Sequence, residues 1–132
     1  MTGVKRVIAF LTALLLILSL VGCSSSPKRL NISGAEKIQI FNMSTGKQTE
    51  LTDAADIRYI TENICSLPYS KGRKVNSDGS MFSLSWFDGA GERIAGIAVL
   101  NENTIVYQKH YYKVMTIDYE IDLAFLDSLF TD

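Results

Sequence analysis

Between Met81 and Met115 the chain offers four short apolar segments in succession, with only turn residues between them. Met81–Phe87 (MFSLSWF) alternates strictly, setting Phe82, Leu84 and Trp86 against Ser83 and Ser85. That is the period-two pattern of a half-buried strand. Asp88-Gly89-Ala90-Gly91-Glu92 follows with hairpin chemistry. Arg93–Leu100 (RIAGIAVL) is more continuously apolar, as a central strand would be. Asn101-Glu102-Asn103 turns the chain again, and Thr104–Tyr107 and Tyr111–Met115 flank Gln108–His110. Strands joined this closely pair antiparallel, because a parallel pair needs a crossover of about a dozen residues or more. The pattern therefore argues against a doubly wound α/β fold.

The flanking segments supply a cover for such a sheet. Lys37–Met43 (KIQIFNM) alternates Ile38 and Ile40 against Gln39 and reads as a strand. Ser44-Thr45-Gly46-Lys47 is a turn, and Gln48–Leu51 is a short extended piece able to pair back. Thr52–Leu67 reads as a helix: Ile57, Ile60, Ile64 and Leu67 form one stripe, while Arg58, Glu62 and Asn63 lie away from it. Thr52 or Asp53 can cap its start and Pro68 ends it. Tyr69–Ser80 is expected to be a polar loop. Ile121, Leu123, Phe125, Leu126, Leu129 and Phe130 read as a second, short helix with Asp118 as its cap. The expectation is an α+β domain over residues 35–132, an antiparallel sheet of about five strands with two helices packed on one face.

The first 27 residues speak a different language. Lys5 and Arg6 precede an uncharged, largely apolar run, Val7–Val21. The run is short of the roughly 20 residues that span a bilayer. It fits instead the apolar stretch of a secretory signal, about 7–15 residues behind a cationic start. Leu20-Val21-Gly22-Cys23, followed by Ser24-Ser25-Ser26-Pro27, resembles the lipobox of bacterial lipoproteins. The resemblance implies a signal-peptide helix over residues 1–22, cleavage between Gly22 and Cys23, and lipidation of the Cys23 sulfur. Residues 23–34 would then be the lipidated cysteine and a flexible tether. The domain would be held at the cell membrane on its extracytoplasmic face. A buried acyl chain contributes about 0.8 kcal/mol per CH₂, so one chain anchors marginally and two anchor durably. The competing reading is an uncleaved signal anchor. The domain itself is similar to small, mostly uncharacterised lipoproteins of Gram-positive bacteria. It shares Thr52-Asp53 with Ile57 and Ile60 at a helix start, then Phe82, Leu84, Trp86, Asp88 and Gly89 in a strand and turn. Those shared positions are caps, core and turn, so the resemblance implies no catalytic residue.

Charge and cysteine content narrow the function classes. Of 132 residues, removal of 1–22 leaves 110, enough for one domain. The 13 cations less Lys5 and Arg6 leave 11 against 14 acids, or −3. A nucleic-acid binder would show a basic field instead. With Cys23 taken by the lipid, as the resemblance implies, Cys65 would have no intramolecular partner.

Candidate chemistry is sparse. His110 is the only histidine and sits in a turn, and there is no G-x-S-x-G elbow to accompany it. One His and one Cys cannot build a structural zinc site, and Asp88 with Glu92 lacks the calcium-loop pattern. No metal and no cofactor is expected. Gly89-x-Gly91 joins two strands rather than a strand and a helix, so it is hairpin rather than phosphate cradle. Cys65 falls at a helix C-terminal end, where the dipole opposes a thiolate. Lys71, Arg73 and Lys74 offer a small basic loop that could meet phosphate-rich polymers or lipid headgroups. The strongest binding hint is aromatic: Tyr107, Tyr111, Tyr112 and Trp86 form a candidate binding surface, although Trp86 should face the core. The expected function is a non-enzymatic domain. It would bind an envelope protein or component, with the membrane reached through Cys23 and no nucleic acid involved. The alternative is a small-ligand binding or sensor accessory.

Overall fold

A computed structural model of the chain describes residues 28–73 and 79–130. The expected signal peptide, the Gly22–Cys23 cleavage site and Lys74 lie outside the described residues.

A seven-stranded, wholly antiparallel sheet organises the domain. β1 (Lys37–Asn42) turns through Gly46 into β2 (Gln48–Leu51). Helix α1 (Ala54–Cys65) then carries the chain across one face to β3 (Tyr69–Lys71) at the far edge. β4 (Phe82–Phe87), β5 (Arg93–Asn101), β6 (Thr104–Tyr107) and β7 (His110–Val114) form the expected meander. A short helix α2 (Leu123–Ser128) closes the described chain. The strand order is β2-β1-β4-β5-β6-β7-β3, so the meander fills the gap between the two ends of the α1 crossover.

The period-two alternation gathers the fully buried apolar side chains of the sheet on one face. Ile38 lies opposite Trp86 and Ile40 opposite Leu84, while Leu84 in turn faces Ile97 and Val99 faces Ile105. Onto this face α1 lowers Ile57, Ile60 and Ile64, and the C-terminal segment adds Ile121 and Leu126. Phe130 stacks on Phe82 at 6.2 Å, and Phe125 meets Tyr59 of α1 edge-on at 4.9 Å, so the two helices share a layer. The trans-layer tie is polar: Trp86 is wholly buried and its Nε1 donates to Thr61 Oγ1 at 2.9 Å.

Four expectations need correction. The sheet has seven strands rather than about five. Gln48–Leu51 pairs back onto β1 as expected and counts as a strand, but β3 forms inside the stretch expected to be a polar loop. β3 carries no alternating signal because only Tyr69 of its three residues is buried; the β7 backbone supplies the pairing. The second helix is capped by Asp122, whose carboxylate accepts from Phe125 N, and not by Asp118. Finally, residues 28–34 are not a free tether. Lys28 and Tyr69 exchange two backbone hydrogen bonds, at 2.8 and 3.0 Å, and Leu30 joins the core.

Candidate functional site

The four aromatic residues do not make one surface. Trp86 is wholly buried beneath α1, and Tyr112 is 4% exposed on the same face. Tyr112 sits opposite Ile105 on one side and Lys71 on the other, and its hydroxyl accepts from Lys28 Nζ at 3.1 Å. Tyr107 shares the helix-covered face and is half-buried beside the β6–β7 turn. Tyr111 alone points to the opposite face, half-buried across from Val106. Alternation explains the split: neighbours 111 and 112 in a strand must face opposite ways.

Among the described residues no helix lies over that opposite face. Its middle is built from small residues, with Ser83 opposite Ala98 and Ser85 opposite Gly96. Ala98 in turn meets Val106. Phe41, Phe87 and Tyr111 stand around this floor, all half-buried. Arg93 lies across Gly96: a Cβ added there would come within 1.8 Å of its guanidinium. The result is a shallow depression of about 550 Å³ at the β5–β6 side of the face.

A second recess, about 640 Å³, opens between the Ile32–Glu36 segment and α1. Ile32, Ala35 and Ile57 supply its apolar wall, and Arg58, Glu62 and Thr52 its polar rim. Sequence reasoning missed it because its wall needs residues 32–35 to be docked, and a Ser/Gly-containing stretch carries no such signal.

The other candidates resolve into structural roles. Asp88 Oδ1 accepts from Ala90 N and Glu92 N, both at 2.9 Å, which holds the β4–β5 turn. His110 is exposed at the start of β7. Cys65 is half-buried at the end of α1, and burial raises its thiol pKa, only partly countered by the Ile32 backbone. Lys71 and Arg73 are both exposed. Among the described residues no group of three or more His, Cys, Asp or Glu is placed to hold a metal ion.

One polar junction had no sequence signal. Asn63 was expected to lie away from the buried stripe, yet its Oδ1 accepts from Asp122 N at 2.9 Å and its Nδ2 donates to the Glu120 carbonyl at 3.2 Å. The Tyr59 hydroxyl donates to the Asp122 carboxylate, and that bond raises the Tyr59 pKa. α1 therefore positions the cap of α2.

Compared with family models, with curated proteins and with solved structures, the chain matches none of them.

Proposed function

We propose that the chain is a lipid-anchored extracytoplasmic lipoprotein whose domain binds an envelope protein or component and performs no chemistry of its own. The anchor half of this reading is carried by the cationic start, the apolar run and Leu20-Val21-Gly22-Cys23. The binding half is supported by one observation: among the described residues, the seven-stranded sheet is covered on one face and open on the other. The open face has a floor of Ser83, Ser85, Gly96 and Ala98 framed by Phe41, Phe87 and Tyr111. Aromatic side chains around a floor of small residues offer contact area at low entropic cost. The test is crosslinking of the tagged, anchored protein in its own cells, then mass spectrometry of what co-purifies. A stoichiometric partner whose crosslinks map to the open face, and which is lost on F41S/Y111S, is the expected result. Crosslinks that survive that double substitution would sink the surface assignment.

A small-ligand reading has its own observation in the recess between Ile32–Glu36 and α1. Its volume of about 640 Å³ lies within the roughly 300–1,000 Å³ usual for ligand sites. An A35W variant that fills this recess without altering any binding phenotype would remove that reading.

A further inference from the structure

The charges of this chain are sorted by segment, and the sheet gathers one set at a single edge. Residues 28–35, 68–73 and 103–117 contain no Asp or Glu. They carry Lys28, Arg29, Lys71, Arg73, Lys109 and Lys113, six of the ten Lys and Arg among the described residues. Though distant in sequence, these segments are neighbours in space. β7 pairs with β6 on one side and β3 on the other, and Lys28 bridges to Tyr69 beyond β3. All six cations are exposed. The ion pair found among the described residues, Lys37–Glu50, is at the opposite edge of the sheet.

The N-terminal segment gives this edge a direction. Lys28 runs antiparallel to β3, so its backbone enters from the side of Lys71 and Gly72. The Gln108–Lys109 tip of the β6–β7 hairpin lies on that same side, since Lys71 faces Tyr112 and Gly72 N donates to the Tyr111 carbonyl. Cys23 precedes Lys28 by five residues, a stretch that reaches at most about 18 Å. An anchor at Cys23 therefore keeps this edge close to the bilayer. Surface charges act only over about 8 Å at physiological ionic strength, so a short connection decides whether they act at all.

We propose that this edge is the membrane-facing surface of the domain, with the Lys and Arg side chains seated among anionic phosphate headgroups beside the lipid on Cys23. The proposal deepens the anchored reading and rests on it. Each cation near an anionic surface favours the docked orientation by about fivefold, and several acting together hold the domain with its open sheet face turned to a fixed side. The hairpin tip fits this role. Gln108 and Lys109 both have positive φ, 49° and 67°, in a two-residue turn where Asn-Gly is the favoured choice. A cation occupies a position that glycine would hold with less strain.

That strain allows a test in which the fold is not lost. Full-length protein carrying C65S is labelled with an environment-sensitive dye at Q108C or, at the far edge, at Q48C. It is then reconstituted into vesicles of phosphatidylcholine alone or of an equal mixture with phosphatidylglycerol, some bearing a headgroup quencher. The expected result is quenching at position 108 and not at 48, present with phosphatidylglycerol and weakened by salt. K71A or K109G should each weaken docking by about fivefold, while K109G raises the thermal midpoint. Equal quenching at 108 and 48 in vesicles that carry the protein would overturn the proposal and leave the anchor standing. Protein that does not float with vesicles, and whose intact mass shows no lipid on Cys23, would overturn the anchored reading itself. A dye at 108 that answers soluble polyphosphate but not phosphatidylglycerol would assign the edge to a soluble polyanion and overturn the membrane proposal.

Discussion

Two side chains hold the layers of this domain in register, and both do so through a buried polar group. Trp86 Nε1 has Thr61 Oγ1 as its partner, and a buried donor without an acceptor costs about 1–3 kcal/mol. T61V should therefore destabilise the domain by about that amount, read by urea denaturation with Trp86, the single tryptophan, as the fluorescent reporter. An unchanged midpoint would mean that the tie contributes nothing. Tyr69 is wholly buried and donates to the Ile64 carbonyl at 2.7 Å. Burial, with a smaller contribution from Cys65, raises its pKa well above the ordinary tyrosine value. Below the unfolded value of about 10, the phenol is protonated in both states and its contribution is fully present. Above it the unfolded chain loses the proton first, so stability falls as pH rises, by about 1.4 kcal/mol per pH unit for this one group. Y69F should flatten that decline between pH 10 and 11 relative to the parent, although it starts from lower stability because the hydrogen bond is gone. Equal slopes in the two proteins would show that Tyr69 does not set the alkaline limit. In the sequence, Tyr69 reads only as the first residue of a polar stretch. Its burial comes from β7 and Lys28 on either side, and neither is near in sequence.

At the level of elements, legibility followed periodicity. β1, β4, β7 and α1 announce themselves because each buries one face of a regular repeat, while β5 and β6 are legible as short apolar runs between turns. β3 has three residues and one buried side chain, too few for a period. An acid before an apolar run is a sound cap, and Asp118 and Asp122 both satisfy that rule for α2. Asn63 and Tyr59 decide between them by binding Asp122 from α1. The β6–β7 turn tests the opposite case, an element whose sequence departs from the favoured chemistry. Q108N and K109G should each stabilise the domain by about 1 kcal/mol, because a non-glycine residue at positive φ costs about 1–3 kcal/mol. The melting temperature measures this directly. A fall on K109G would mean that the lysine makes a compensating contact at the tip.

For the whole molecule, the boundary of the domain is the main revision. Leu30 is 7% exposed and belongs to the core cluster. L30A should cost about 2–4 kcal/mol, the usual effect of deleting a buried leucine side chain; a cost near zero, measured in urea, would restore the free tether. If the proposed anchor at Cys23 holds, a docked Lys28 makes it an orienting device as well, because the attachment then lies beside one edge of the sheet. Some of this was determined by the sequence alone. Alternation and short turns dictated antiparallel strands, and the isoleucine stripe dictated a covering helix. Each of these rests on interactions between residues close in the chain, so local pattern suffices. The order of the strands, the burial of Tyr69, the capture of Lys28 and the gathering of six cations at one edge were decided only by the tertiary structure. Antiparallel pairing between segments tens of residues apart joins backbone groups that every residue possesses, so no residue type has to record it.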